Sequence, residues 1–362
     1  MSKKELERKI KEQGGILLNH KRSTHLAVTR NGLFFALVID NTDVVVWDVL
    51  TQKQIFLYKN VECKKKEEFI YSIALTDDGK KLAVYYSVEV DYEGFGFAQA
   101  EILIMSTATG DILQTIVCPF FSTNSIAFDE TGSFLFVAKE AYQLFFDEKL
   151  EQWLKTQQTP WLGNSGLAIW DIETAQLLHW YEAPKGFDVR SMTTAQTTDT
   201  VLLTFNAPGN YFSELQDILF YWTTNGPITL TTDLRYCVSS LSPDGEKIYL
   251  VGRRNRQCIF QLLDKSGNVL TERNTLEDRS TLLCDSYWHY EGNKIIMFFC
   301  GGEVYVIDAK TLEVIETIQC GGLEENFIYF TPHNWTIIAA EYNLLLPTDR
   351  MHLLETLMPD EF

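Results

Sequence analysis

Positive charge is scarce in this chain: 31 Lys and Arg stand against 49 Asp and Glu over 362 residues, a formal net charge of −18. That deficit leaves no extended basic face to neutralise phosphates, which argues against DNA, RNA or an anionic membrane as partner. Long apolar runs are missing too. No window approaches the roughly 20 apolar residues of a membrane span, and Met1 to Gly15 has no apolar stretch of the secretory kind. The 7 cysteines are odd in number and never stand at C-x-x-C spacing. Most lie in or beside apolar runs, as small buried hydrophobes do, and they read as free thiols of a reducing compartment. A cytoplasmic address is expected.

Catalytic motifs are equally sparse. There is no Gly-x-Ser-x-Gly, no His-Glu-x-x-His and no Gly-x-x-x-x-Gly-Lys-Ser/Thr loop. The 6 histidines (His20, His25, His179, His289, His333, His352) are scattered, and none has a second ligand at metal spacing. The sequence therefore assigns no catalytic residue, metal ligand or cofactor, and a non-enzymatic role is expected.

What the chain does have is repetition. Turns such as Arg30-Asn31-Gly32, Asp77-Asp78-Gly79, Glu130-Thr131-Gly132, Pro243-Asp244-Gly245 and Glu291-Gly292-Asn293 each separate two runs rich in β-branched and aromatic residues. Thr198-Asp199-Thr200 and Pro332-His333-Asn334 stand in the same place, giving seven units. Around Gly245 the unit reads as four short antiparallel strands with turn chemistry at each corner. Six units are complete: His25–Tyr58, Ser72–Cys118, Asn124–Glu182, Val189–Thr231, one around Gly245, and Thr281–Ile318. The seventh offers three strands, Phe327–Thr331, Ile337–Tyr342 and Met351–Leu354, while Ile16–Asn19 stands without a partner before the first unit. Pairing Ile16–Asn19 with Met351–Leu354 would join the two ends and leave few open sheet edges.

Two copies end their third strand in Trp-Asp, at Trp47-Asp48 and Trp170-Asp171. With the Ser-Pro-Asp-Gly turn at residues 242–245, these copies make the chain resemble the WD40 family of seven-bladed β-propellers. The position reads Met105-Ser106, Trp222-Thr223, Leu263-Asp264, Ile307-Asp308 or Leu354-Glu355 in the other units. The resemblance implies a structural role for His20, Trp47, Asp48, Trp170 and Asp171, with a buried hydrogen-bond network in one blade through His20 and Trp47. The expected fold is all-β, a seven-bladed propeller over residues 15–362 closed by an N-terminal strand. A short charged helix is expected over residues 1–14, with Leu6 and Ile10 on one side. Propellers of the lactonase and quinoprotein kinds remain an alternative.

Three consecutive units carry insertions between their second and third strands, at 89–98, 140–163 and 207–214. Strand order places all three on one face, where insertions often serve binding. The insertion at 140–163 carries a helical pattern, Phe146, Leu150, Trp153 and Leu154, stopped by Pro160. That helix either caps the face or leaves an aromatic stripe for a partner. Arg235, Arg253, Arg254 and Arg256 fall on the same face and either form a basic rim or are ordinary loop charges. The candidate partner-binding residues are thus Tyr92, Phe95, Phe97, Trp153, Trp161, Tyr211, Phe212, Arg235, Arg253, Arg254 and Arg256. The expected function is a protein–protein interaction scaffold for a protein or peptide, or a subunit of a larger complex. An enzyme or small-ligand binder using the channel mouth is the alternative.

Overall fold

Each apolar–turn–apolar unit folds into an antiparallel sheet in the computed structural model of the chain. The model describes residues 3–19, 23–59, 69–92, 95–119, 122–140, 165–185, 187–206, 218–223, 226–255, 257–276, 283–299, 303–319, 327–339 and 343–349. A helix α1 (Lys3–Glu12) and a strand β1 (Ile16–Asn19) precede the first sheet. The first blade is β2 (Ser23–Val28), β3 (Phe34–Ile39), β4 (Asp43–Asp48) and β5 (Lys53–Lys59). The second is β6 (Ile70–Leu75), β7 (Lys81–Tyr92), β8 (Phe95–Ser106) and β9 (Ile112–Pro119). The third is β10 (Ser122–Phe128), β11 (Phe134–Glu140), β12 (Gly166–Asp171) and β13 (Gln176–Glu182). The fourth is β14 (Asp188–Thr194), β15 (Val201–Asn206), β16 (Ile218–Thr223) and β17 (Gly226–Thr231). The fifth is β18 (Arg235–Leu241), β19 (Lys247–Arg254), β20 (Gln257–Asp264) and β21 (Val269–Leu276). The sixth is β22 (Leu283–Trp288), β23 (Lys294–Phe299), β24 (Glu303–Asp308) and β25 (Val314–Gln319). The last holds β26 (Phe327–Phe330), β27 (Trp335–Ala339) and β28 (Asn343–Pro347), with β1 as its fourth strand. First strands lie next to one another from blade to blade, so the seven sheets form a seven-bladed β-propeller arrangement.

Turn chemistry sets the sheets. In blades one, two and five a hydroxyl opens the first turn and an Asx side chain closes it: Thr29 with Asn31, Thr76 with Asp78, Ser242 with Asp244. The same hydroxyl accepts the N–H of the residue that starts the next strand, Phe34, Lys81 or Lys247, at 2.8 to 3.0 Å. Gly32, Gly79 and Gly245 follow with φ of 66°, 67° and 73°, a region a side chain rarely enters. Each of these glycines also abuts the preceding blade's turn, Gly32 against Pro332, Gly79 against Phe34 and Gly245 against Thr198.

Packing between blades explains why the strands read as near-continuous apolar runs rather than clean alternation. Both faces of each sheet are covered. Ala74, Ala83, Ile102 and Ile104 of the second blade pack on Ile126, Phe128, Leu135 and Val137 of the third. Phe35, Leu37 and Val45 of the first pack on Ile337, Ala339 and Leu345 of the last.

The N-terminal segment differs from expectation in two ways. Ile16 and Leu17 pair with Leu345 and Leu344 of β28, not with Met351–Leu354, which lies outside the described residues. The reason is apolarity: Leu344, Leu345 and Leu346 are fully buried, so this run, rather than the later one, makes the third strand. The helix α1, for its part, is charged but docked. Leu6 and Ile10 are buried among Ile296, Phe298, Ile328 and Leu346, between the sixth and last blades. Gly14, with φ of 75°, ends the helix, and the N–H of Gly15 returns to the Ile10 carbonyl at 3.0 Å, as in a Schellman cap. A side chain at Gly15 would put its Cβ 2.3 Å from Leu346 Cδ2. The helical pattern at 141–164 lies outside the described residues. None of the helices among the described residues is long and apolar enough to cross a membrane.

Candidate functional site: the channel and its two mouths

Inner strands line the axis of the ring. In six of them the ladder slips by a residue near the start, at Ser23/His25, Ile70/Ser72, Thr123/Ser125, Val189/Ser191, Arg235/Val238 and Leu283/Asp285. Such bulges sharpen the strand's twist as it enters the ring. The position that pairs with the third residue of the second strand decides how full the channel is. It is Ala27, Ala74 and Ala127 in the first three blades but Tyr287 and Tyr329 in the last two. Those two rings stack with centroids 4.9 Å apart, and the Tyr287 hydroxyl accepts the Phe330 N–H at 3.0 Å. On the alanine side the channel opens into a cavity of about 400 Å³ bordered by the inner strands of blades one to four.

Arg30 closes one end of that cavity. Its backbone N–H donates to Asp77 Oδ1 at 2.8 Å, and its Nη2 donates to the Phe128 carbonyl at 2.8 Å. Nη1 reaches the Thr198 carbonyl at 3.3 Å and Asp199 Oδ1 at 3.5 Å. One side chain thereby touches the turns of four blades, and it is only 10% exposed. Its Nε stays 4.0 Å from Asp77 Oδ2. Burial pushes the Asp77 carboxyl above its ordinary value, against the pull of the Arg30 amide and guanidinium, with Glu130 and Asp78 adding to the rise. Tyr329 is pushed up to about 12, by burial and then by the charge of Asp77.

The same mouth carries a belt of bonds between neighbouring blades. Asn31 Nδ2 donates to the Asp77 carbonyl, Lys81 Nζ to the Gly132 carbonyl, and the Glu130 N–H to Asp199. Further round, the Gln196 and Thr197 N–H groups share the Pro243 carbonyl, and Trp288 Nε1 donates to the Ser240 carbonyl. Between the last and first blades, His333 Nε2 lies 3.2 Å from the Asn31 carbonyl; at the other end of β2, away from this mouth, Ser23 Oγ donates to Asn343 Oδ1 at 2.7 Å. Turns that looked like pure punctuation in the sequence are therefore the most densely bonded part of the ring.

At the opposite mouth lie the described strands that carry some of the residues expected to meet a partner. The insertion at 89–98 is not a loose link but a continuation of the ladder, with Glu89 facing Ala98, Val90 facing Phe97, Asp91 facing Gly96 and Tyr92 facing Phe95. β7 and β8 each run 12 residues, so a two-stranded arm extends beyond the sheet. Arg235 and Arg253 are directly paired across β18 and β19. Arg254 donates to Asp233 and Glu272, and Gln261 Nε2 completes the cluster at 3.2 and 2.8 Å from the same two carboxylates. Its charge is spent within the blade rather than offered to a rim. Trp153, Trp161, Tyr211, Phe212 and Arg256 lie outside the described residues.

The two halves of the Trp-Asp copies bond differently. Asp48 Oδ1 accepts the N–H groups of Leu50 and Thr51, and Asp171, Asp264 and Asp308 hold their turns in the same way. Backbone and side-chain N–H and O–H donors hold Asp171, Asp264 and Asp308 below the usual carboxylate range. Trp47 Nε1, by contrast, is buried with no hydrogen-bond partner among the described residues, and His20 lies outside them. The two cysteines whose side chains are described, Cys237 and Cys258, are buried, and burial pushes the Cys258 thiol up to about 11.

Sequence reasoning missed Arg30, Asp77 and Asp199. The available signal was a charge at the first residue of two turns, Arg30 and Asp77, and at the second residue of a third, Asp199. Arg254, in turn, was read as open because its carboxylate partners sit in other strands. No protein-family model and no curated protein matches this chain. The class that the geometry defines is a seven-bladed β-propeller with a filled half and an open half to its channel.

Proposed function

We propose that the chain is a WD40-like interaction scaffold of the cytoplasm, its ring tied through β1, which takes a protein or peptide across the mouth that carries the β7–β8 arm. The observation that carries this reading is the inequality of the two faces. First-to-second and third-to-fourth strand turns are short and bonded to themselves or to the next blade. The arm, by contrast, extends from the other face, where the second strands of blades three and four also end, at Glu140 and Asn206. A rigid ring that has already fixed its loops lowers the entropic cost of binding through them.

The test is affinity purification from the native cell with two altered chains. In one, residues 88–99 are replaced by a two-residue turn; in the other, Arg235 and Arg253 become Ala. Both should lose a partner that the intact chain retains, with melting temperature changed by no more than about 2 °C. Retention of all partners by both chains would refute the assignment of this face. Arg254 is left intact, because its loss would strip two carboxylates of their cation and confuse binding with folding.

A further inference from the structure

The cavity beside Arg30 lies away from the partner-facing loops and is independent of the reading above. Its size, about 400 Å³, is that of a small-molecule site. Three features define what it would accept. Asp77 uses Oδ1 for the Arg30 N–H, while Oδ2 accepts no hydrogen bond among the described residues and has its nearest cation 4.0 Å away. Arg30 cannot serve Asp77 fully, since its guanidinium is turned to two backbone carbonyls and to Asp199. One guanidinium thus stands between two carboxylates, with Glu130 and Asp78 adding negative potential, and Lys80 occupied with Asp78 at 3.0 Å. An anion is repelled from this floor and a cation is attracted.

The walls complete the selection. Ala27, Ala74, Ala127 and Met192 line it together with larger apolar residues such as Ile73 and Ile126, and Ser72 and Thr194 belong to the same lining. Among the described residues no three carboxylate, imidazole or thiol groups converge as a metal ion would require. We infer that this cavity binds the ammonium end of an unbranched alkylamine, with nitrogen against Asp77 Oδ2 and methylenes along the alanine wall. The ammonium group belongs either to a free diamine or to a lysine side chain of another protein, which present the same chemistry.

The experiment is calorimetric titration of the full chain with putrescine, Nα-acetyl-lysine methylamide, 1,4-butanediol and succinate. One or both amines should bind, while the uncharged diol and the dianion of matching length should not. Asp77→Asn keeps an acceptor for the Arg30 N–H but removes the charge, and should weaken amine binding at least about tenfold, the usual loss for one charge-assisted hydrogen bond. Ala127→Leu fills the cavity without touching a charge and should abolish binding. Binding of the lysine derivative alone assigns the ligand to a protein side chain, and binding of both admits free diamines. Failure of both amines at about 10 mM, succinate binding as well as putrescine, or unchanged affinity in Asp77→Asn would overturn the inference. The comparison of amine with diol on the unaltered chain decides the matter even if a variant fails to fold.

Discussion

Single residues hold this ring together at places where the repeat seems only to be marking time. Arg30 is the plainest case. Removing its side chain in Arg30→Met leaves the Phe128 and Thr198 carbonyls without their donor and two carboxylates without their cation. Breaking a buried charged contact of this kind costs about 3 kcal/mol, to be read as a lower urea midpoint at unchanged slope. Asp308→Ala removes three turn hydrogen bonds on an exposed corner, and about 1 kcal/mol is expected there. The pH dependence of the two kinds of aspartate has opposite sign. Asp171, Asp264 and Asp308 have folded-state values below the unfolded one, so their contribution is present above the unfolded value and is lost as pH falls through the folded one. Asp77 is raised instead: ionising it opposes folding as pH climbs from the unfolded value through the folded one. Asp77→Asn should accordingly melt no lower than the parent at neutral pH, and the difference between them should shrink as pH falls below the unfolded value. An Asp77→Asn protein that melts well below the parent at neutral pH would refute this sign. At this scale the sequence showed the Asp of each Trp-Asp copy, because a side chain that caps its own turn is a local matter. It could not show Arg30 reaching a turn 169 residues away.

At the level of elements, strand count and strand order were legible because every sheet is a local meander whose corners announce themselves in Gly, Asn and Asp. The exceptions are the elements whose partners lie far away in the chain or outside the repeat. The third strand of the last blade was misplaced because Leu344–Leu346 lacks a turn of the usual composition before it, and only burial on both faces reveals it as a strand. The insertion at 89–98 was seen as a link, yet its alternation of Val and aromatic residues with acidic ones is hairpin alternation carried past the sheet. The helix α1 has just two apolar residues, too few to predict docking from pattern alone; the groove that receives them is made by two blades more than 280 residues later. Ile10 is fully buried there, so Ile10→Ala should cost about 3 kcal/mol in a chemical denaturation experiment. Gly15→Ala should be destabilising as well, since its new methyl would meet Leu346 and the Leu345 carbonyl.

For the molecule as a whole, the two faces differ. The turn face carries bonds that join one blade to the next, and the β7–β8 arm extends from the other. Removing residues 1–19 should therefore do more than shorten the chain. It strips Leu6 and Ile10 from the groove between the last two blades and uncovers the edge of β28. The truncated protein should melt lower, with a broader transition, and elute as larger species on gel filtration; an unaltered sharp melt would show that the leading segment is ornamental. Overall architecture was readable from the recurrence of turns, whereas the candidate site was not, because a channel is made by residues that share nothing in sequence except their place in successive repeats.

The pairing of β1 with β28 also sets a timetable for biosynthesis. Ile16 leaves the ribosome more than 300 residues ahead of Leu345, which it must meet. At ordinary elongation speeds that is a wait of roughly half a minute. Throughout that interval the leading strand has no native neighbour, and a nascent-chain chaperone that shields short apolar β-segments would find its natural client in residues 16–19.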